Sequence, residues 1–267
     1  MEKIGLLAGV GRLPVEFARA AKGMGFGVFA VALVDTVEKD LEEYVEKIEQ
    51  INVGQLDEIF KFLKQNEIAR VTMLGKVTKE LMFNGKVELD DRMKKILATL
   101  PDNSDDTLML AFVRELAMEE ITVFDQTALI RSLIVKEGLL TKREPTVDEK
   151  ADMEYGFKMA KAIGGLDIGQ TVVVKNLAVM AVEAIEGTDE CILRGGKLGC
   201  ENVVVAKVAK PKQDVRFDIP AVGVKTMESM CAVGAKALVL EAGKTILVEK
   251  AKVLKIANEH GITIVAL

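Results

Sequence analysis

Short apolar strands separated by helix-length segments constrain the fold of this chain more than any other feature of its sequence. Residues 3–8, 28–34 and 70–74 are each typical of a buried strand. Residues 14–24 follow a glycine loop and have the pattern of a helix, and apolar residues at 56, 59, 60 and 63 repeat at helical spacing. Strands separated by helices form βαβ units around a mostly parallel sheet. The first half is therefore predicted to be a Rossmann-like parallel-sheet domain.

The second half mixes hairpin-like and crossover patterns. Helices are expected near 147–163, from about 226 and near 250–259, and strands at 171–175, 179–185, 203–208 and 262–265, with two more joined across 241–244. Residues 133–145 are charged and turn-forming, which is typical of a domain boundary. The predicted fold class is α/β, with a Rossmann-like nucleotide- or phosphate-binding domain over 1–135, a linker over 136–145 and a mixed α/β catalytic domain over 146–267.

Composition excludes several classes of protein. The chain has 36 Lys and Arg against 41 Asp and Glu, a net charge of −5, no Trp and only 4% aromatic residues. It therefore lacks both the positive charge and the stacking side chains of a nucleic-acid binder. Its longest clear apolar run, 28–34, is far shorter than the roughly 20 residues that cross a bilayer. Its three cysteines have no metal-ligand spacing, so we expect a reduced cytoplasmic protein with packed thiols.

The single histidine narrows the chemistry further. His260 follows the last predicted helix, where it is expected to satisfy a terminal carbonyl group. Without a second histidine, a multi-His zinc site and most Ser-His-acid sites lack their parts. Any chemistry must therefore use carboxylates, Lys and Arg, with or without a hard metal ion.

A glycine loop joins the first predicted strand to the first predicted helix. Gly9, Val10 and Gly11 occupy the place where nucleotide-binding folds hold phosphate against backbone N–H groups. Asp35 lies about where a ribose-binding acid is found in such folds. The third glycine of the dinucleotide fingerprint is absent, however, and Pro14 stands there, which also suits a simple helix start. Phosphate contact and a structural turn both remain open.

Two further loci in the first half are candidate ligand sites. Gly75 and Lys76 follow the carboxyl end of a strand, where open α/β sheets bind ligands. Lys76 is either a phosphate-binding cation or a solvated side chain. Asp105 and Asp106 begin a predicted helix with Ser104 as its cap. They either interact favourably with the helix dipole or bind hydroxyl groups.

The densest cluster of charge is the segment 207–220. Charged and apolar residues alternate from Asp214 to Ile219, which predicts a strand with Asp214, Arg216 and Asp218 on one face. Along a straight strand the two carboxylates lie roughly 13 Å apart, too far for both to bind one metal ion. One acid is therefore expected to act and the other not. The alternative is an exposed edge strand with ordinary surface charges.

Polar residues also flank two earlier strands. Asp167 and Gln170 precede one predicted strand, whereas Glu183, Thr188 and Asp189 follow the next. Such groups can bind sugar hydroxyls or a metal ion. Thr188 is equally consistent with a helix N-cap.

Taken together, these segments resemble the two-domain UDP-2,3-diacylglucosamine pyrophosphatases of the lipid A pathway, which are unrelated to calcineurin-like phosphoesterases. The family's middle glycine in the first loop is replaced here by Val10. The matching motifs, in order along nearly the whole chain, are Gly9-x-Gly11-x-Leu13-Pro14, Gly75-Lys76-Val77, Asp105-Asp106, Leu166-Asp167-Ile168-Gly169-Gln170, Ala181-Val182-Glu183-Ala184-x-Glu186-Gly187-Thr188-Asp189 and Lys210-Pro211-x-Gln213-x-x-Arg216-x-Asp218-x-Pro220-x-x-Gly223.

The resemblance implies a reaction and a set of roles. In that family the two domains enclose a UDP-sugar lipid, and water attacks the β-phosphorus with Mg²⁺ to release UMP and a diacylglucosamine 1-phosphate. The family's essential aspartate falls on Asp218, which would also bind the metal, and Asp214 becomes a bystander. Lys210 and Arg216 would clamp phosphate. Gln170, Thr188 and Gln213 would bond to sugar or uracil, with Glu183 beside them.

Two other functions stay open at this stage. One is a non-catalytic carrier or sensor of a nucleotide-sugar lipid, whose acyl groove would be floored by Met82, Phe83 and the helix containing Leu108, Ala111 and Phe112. The other is an NAD-dependent oxidoreductase, which rests only on the first loop and Asp35. The expected partner is a small amphiphilic nucleotide-sugar lipid. A cytoplasmic protein with transient contact at the inner membrane face, as a monomer or a homo-oligomer, is compatible with this.

Overall fold

A computed structural model describes residues 1–77, 87–101, 105–211 and 213–267, together with the backbone but not the side chains of Asp105 and Asp106. Three features of the sequence analysis lie outside the described residues: the helix cap at Ser104, Lys212 within the charged segment 207–220, and the groove residues Met82 and Phe83. The described chain divides into two compact units. The first comprises Met1–Ile130 with Val215–Phe217, and the second comprises Arg131–Asp214 with Asp218–Leu267.

The first unit is built on a five-stranded parallel sheet in the order β3-β2-β1-β4-β5. The chain winds outward from β1 in one direction and then returns to build the other side, so the predicted Rossmann-like domain is confirmed. Its strands are β1 (Lys3–Ala8), β2 (Gly27–Ala32), β3 (Lys47–Gln50), β4 (Arg70–Leu74) and β5 (Thr122–Val123), and its helices are α1 (Leu13–Gly23), α2 (Leu56–Gln65), α3 (Asp91–Thr99) and α4 (Asp105–Met118).

The apolar periodicity of α2 explains how this sheet is covered. Leu56, Ile59 and Leu63 are each at most 1% exposed and pack in one cluster with β-strand residues such as Leu7 and Val71. Leu108, Ala111 and Phe112 of α4 pack against the same cluster. These α4 residues, considered above as the floor of an acyl groove, are half-buried and pack against the core of this unit.

The second unit contains a six-stranded mixed sheet in the order β6-β13-β11-β9-β7-β8 and a two-stranded parallel sheet of β10 and β12. The predicted mixed α/β class is confirmed. The strands are β6 (Gly138–Leu139), β7 (Thr171–Lys175), β8 (Ala178–Val182), β9 (Val204–Lys207), β10 (Ala221–Val222), β11 (Ala237–Leu240), β12 (Ile246–Leu247) and β13 (Thr263–Ala266), and the helices are α5 (Val147–Gly165), α6 (Thr188–Gly199), α7 (Val224–Ala232) and α8 (Lys250–Glu259).

Both faces of the larger sheet are buried. Val173 and Val205 point into one apolar cluster together with Ile192 of α6, and Val172 and Val204 point into another with α5. Successive strand residues alternate between faces, so burial on both sides requires the nearly continuous apolar runs seen in the sequence. The unit is thus a sheet between two helical layers.

Two expected connections differ from the structure. The stretch 136–145, expected as a linker, contributes β6, whose Leu139 pairs antiparallel with Val265 of β13. The strands on either side of 241–244 are not joined as a pair, because β11 lies in the six-stranded sheet and β12 pairs with β10. Charge and turn residues marked these loops correctly but carried no information about strand partners.

The strand predicted at 214–219 is wrong. The segment is a turn in which the N–H of Asp218 donates to the carbonyl oxygen of Asp214 at 2.9 Å. Such a bond across four residues brings their Cβ atoms to about 6 Å, as in one turn of a helix, and not to the 13 Å of a straight strand. The geometric reason for expecting only one of the two acids to act is therefore lost.

The last helix ends as the sequence predicts. His260 directly follows α8, and its Nδ1 lies 3.0 Å from the carbonyl oxygen of Ile256. The histidine therefore caps the helix. Separately, no helix in the described part of the chain combines the length and the apolar character needed to cross a membrane.

The three cysteines are free but do not share one environment. Cys191 is buried and Cys231 half-buried, whereas Cys200 is exposed, so the expectation of packed thiols fails at Cys200. Burial, and secondarily the nearby charge of Glu183, raises the pKa of the Cys191 thiol to about 12. Burial also raises the pKa of Cys231.

These environments predict an order of alkylation. In folded protein treated with iodoacetamide at about pH 8, Cys200 is expected to react first and Cys191 to stay unmodified, since only the thiolate is nucleophilic. Peptide mass spectrometry over time would measure the order, and unfolding in urea should equalise the three rates. Native modification of Cys191 as fast as Cys200 would contradict this packing.

Candidate active site

One edge of the six-stranded sheet gathers polar residues that are far apart in sequence. Because β8, β9 and β11 run parallel to one another and β7 runs antiparallel to β9, the ends of these three strands meet the start of β7. Gln170 precedes β7, Glu183 follows β8, Lys207 ends β9 and Glu241 follows β11. The carboxyl edge of a sheet is where α/β folds place ligands.

Thr188 lies at the centre of a hydrogen-bonded network at this edge. Its hydroxyl donates to Oε1 of Glu183 at 2.9 Å and accepts from Nζ of Lys207 at 2.9 Å, with the hydroxyl of Thr171 at 3.4 Å. The other oxygen of Glu183 accepts the N–H of Gln170 at 3.2 Å. A hydroxyl has one donor and two acceptor sites, so all of those on Thr188 are used within the protein.

Thr188 is not the N-cap of α6. That position belongs to Gly187, whose φ is 83°, and Thr188 is the first helical residue. Its predicted contact with substrate is untested, but the network gives it a different role. It bridges Lys207 and Glu183.

The sequence analysis included Lys207 only as part of the charged segment 207–220. In the structure it is the most buried cation of the candidate site. The residue is 6% exposed, and Nζ also donates to the carbonyl oxygen of Ala221 at 2.8 Å. One signal could have identified it: a lysine inside the apolar run 203–208 is expected to be buried and paired.

Glu241 and Lys161 form a second network that the sequence reasoning missed. Glu241 is 7% exposed and accepts from Lys161 at 2.9 Å, from Lys244 at 2.8 Å and from the N–H of Ala209 at 2.9 Å. Burial opposes ionisation of Glu241, but the hydrogen bonds from Lys244, Lys161 and Ala209 outweigh it and hold its pKa below the usual value. The acid is therefore ionised at neutral pH.

Three of the predicted residues meet just beyond β9. The N–H of Lys210 donates to Oε1 of Gln213 at 2.9 Å, and Nε2 of Gln213 lies 3.4 Å from Oε1 of Gln170. The ammonium group of Lys210 donates to Asp167 at 2.6 Å. The structure therefore brings Gln170, Lys210 and Gln213 close together.

The turn that follows carries the remaining predicted residues. Asp214, Arg216 and Asp218 are all half-buried, and the guanidinium of Arg216 lies 6.0 Å from the ring centre of Phe217. In the described part of the chain no cluster of three or more His, Cys, Asp or Glu side chains could hold a metal ion. Mg²⁺ is commonly bound by one or two carboxylates, with water and substrate phosphates completing its shell. Two aspartates in one turn fit that kind of site.

The glycine loops of the first unit have a structural reason to be glycine. Val10 and Lys76 exchange two backbone hydrogen bonds of 2.9 Å, which join the loops after β1 and β4. A Cβ atom on Gly9 would lie 2.7 Å from the carbonyl oxygen of Lys76, and one on Gly75, whose φ is +90°, would lie 2.7 Å from Gly9. Gly11 has a φ of +109° with open space around it. The close approach accounts for Gly9 and Gly75 without a ligand.

The other predicted residues of the first unit lie apart from this contact. Strand β2 ends at Ala32, so Asp35 lies in the loop beyond it, where Gln50 approaches at 3.4 Å. Asp105 and Asp106 begin α4, as expected, but their side chains are not described.

Comparison with known proteins gives a consistent result along the chain. Residues 3–133 match the LpxI N-terminal domain and residues 136–265 match the LpxI C-terminal domain. A UDP-2,3-diacylglucosamine pyrophosphatase LpxI from Caulobacter vibrioides is 30% identical over 98% of this chain and 96% of its own length.

Solved structures give only distant matches. A phosphoribosylglycinamide synthetase from Anaerococcus prevotii matches 72% of this chain with 13% identity and a TM-score of 0.27. An N5-carboxyaminoimidazole ribonucleotide synthetase from Thermotoga maritima matches 59% with 16% identity and a TM-score of 0.25. The matched regions span 34% and 37% of those proteins, and similarity this weak carries no argument about function.

Proposed function

Since this chain belongs to the LpxI family, we propose that it is a Mg²⁺-dependent UDP-2,3-diacylglucosamine pyrophosphatase of lipid A synthesis. The observation that carries the proposal is the match of both domains, with a named pyrophosphatase 30% identical across 98% of the chain. The proposed products are UMP and 2,3-diacylglucosamine 1-phosphate. The oxygen of water bonds to the β-phosphorus, and the anhydride bond to the α-phosphate breaks with UMP as the leaving group.

The proposed chemistry centres on Asp218. Hydrolysis of a phosphoric anhydride develops charge on phosphoryl oxygens, and stabilising that charge is most of the catalytic task. When bound, Mg²⁺ would neutralise part of this charge. The carboxylate of Asp218 is proposed to bind the metal and orient water, while Asp214 in the same turn is proposed to play a lesser part. Lys210 and Arg216 are proposed to hold phosphate oxygens.

Gln170 and Gln213 are proposed to orient the sugar or the uracil. Their carboxamides lie 3.4 Å apart, and such groups bond to both donors and acceptors of a substrate. Glu183 and Thr188 are proposed to shape this edge from behind, because their bonds are already made within the protein. The substrate contacts assigned above to Gly9, Val10, Gly11, Gly75, Lys76, Asp105 and Asp106 stay predictions.

The test is hydrolysis in ¹⁸O-labelled water. Purified protein with UDP-2,3-diacylglucosamine and Mg²⁺ is expected to release UMP, and EDTA should stop the release. Attack at the β-phosphorus puts the label in the sugar 1-phosphate, whereas attack at the α-phosphorus puts it in UMP. A carrier would return the lipid unchanged, and that result would overturn the proposal.

A further inference from the structure

We propose that Lys161 and Glu241 are a positioning pair, which fixes the loop that carries Lys210 and thereby sets the rate of the proposed hydrolysis. The inference rests on the proposed function. It concerns two residues on different elements, since Lys161 lies on α5 and Glu241 directly follows β11. Neither is proposed to touch the substrate.

Lys161 and Glu241 together bind the carbonyl oxygen and the N–H of Ala209. The ammonium of Lys161 donates to the carbonyl oxygen of Ala209 at 2.8 Å and to both oxygens of Glu241, at 3.1 and 2.9 Å. The N–H of Ala209 donates to Oε2 of Glu241 at 2.9 Å. Ala209 is 4% exposed, and buried backbone groups need such partners.

These backbone contacts begin just after the end of strand β9. Strand β9 ends at Lys207, after which the N–H of Val208 donates to the carbonyl oxygen of Gln170 at 3.1 Å. The Lys161–Glu241 pair holds Ala209, and the carboxamide of Gln213 holds the N–H of Lys210 at 2.9 Å. Three successive residues therefore have fixed backbones although no strand ladder covers them.

The burial of Glu241 is the energetic reason to propose that the pair positions the loop of Lys210. Removing one member of a buried pair leaves the other charge poorly solvated, so the loop is expected to move to restore its bonds. A displacement of about 1 Å at a group that holds substrate costs on the order of 100-fold in rate. A surface ion pair would have no such effect.

Glu241 supplies its own matched control. Lys244 binds the same carboxylate at 2.8 Å, but its side chain is 58% exposed against 28% for Lys161. Lys161→Met and Lys244→Met make the same substitution against the same acid, and only the first removes a bond to Ala209. Should Lys161→Met not fold, Lys161→Gln carries the same expectations.

The experiment measures steady-state kinetics and hydrogen exchange at a temperature where each variant is folded. Lys161→Met is expected to lower kcat by at least about tenfold with KM within about twofold, because the displaced loop disturbs the reacting geometry more than binding. Exchange at the Ala209 and Lys210 amides is expected to rise by at least about tenfold. Lys244→Met should match the wild type in both.

The outcomes separate this inference from the proposed function. If the wild type does not hydrolyse the lipid, the proposed function fails, and the kinetic part of the inference fails with it. If the wild type is active, faster exchange with unchanged kcat makes the pair merely structural and overturns the inference. Equal effects of Lys161→Met and Lys244→Met overturn it as well.

Discussion

Asp218→Asn is expected to slow the release of UMP by at least about 100-fold, because the amide cannot supply the negative charge that binds a metal and orients water. The substitution keeps the shape of the side chain. The residue is half-buried, and the bond that closes its turn uses the backbone N–H rather than the carboxylate. The fold should therefore persist, as circular dichroism and urea unfolding would show.

Asp214→Asn is the matched control for this prediction. The two aspartates lie at the two ends of the same backbone bond, and both are half-buried. The family resemblance puts the essential acid at Asp218, and Asp214→Asn should therefore retain most of the rate. Turnover of Asp218→Asn close to that of the wild type would remove Asp218 from the mechanism. Equal losses in both variants would mean that the two acids act as a pair.

Gly169→Ala is expected to destabilise the second unit by about 1–3 kcal/mol, the range seen when a methyl group is forced into a packed site. Its Cβ atom would lie 2.2 Å from the carbonyl oxygen of Glu183 and 2.8 Å from the carbonyl carbon. Backbone atoms cannot swing aside as a side chain can. One of the two loops must therefore shift, and the bond from Gln170 N–H to Glu183 is the first that would break.

Gly165→Ala is the control, four residues earlier in the chain. Gly165 is the last residue of α5, and a Cβ atom there would meet nothing within 4 Å. Alanine favours a helix over glycine by up to about 1 kcal/mol, so this variant should be neutral or slightly more stable. Urea denaturation monitored by circular dichroism would compare the two. An unchanged midpoint for Gly169→Ala would show that the loops do not pack as described.

The sequence was most informative where local pattern and burial agree. The runs 3–8 and 203–208 are strands because a sheet buried on both faces requires continuous apolar residues, and both runs show this. In residues 214–219 charged and apolar side chains alternate strictly, as in a strand, but the segment forms a turn. Alternation alone does not supply a neighbouring strand to pair with. Strand partners depend on the fold as a whole.

Some residues named from the sequence lie close together, but the residues that hold their loop in place were missed. Gln170, Lys210 and Gln213 were expected together and lie together. Lys161 gave no signal, since a lysine on a helix is usually solvated, and only the fold shows that it reaches Ala209 and Glu241. Burial of a charged residue is a tertiary property, which a single sequence indicates only when the charge interrupts an apolar run.

The exposed thiol of Cys200 makes this protein easy to label without redesign. Cys200 directly follows α6, whose first residue is Thr188, and a helix of 12 residues is about 18 Å long. A fluorophore attached to Cys200 would therefore lie at one end of α6, with the polar edge at the other end. Such a labelled protein would keep every native residue of the polar edge.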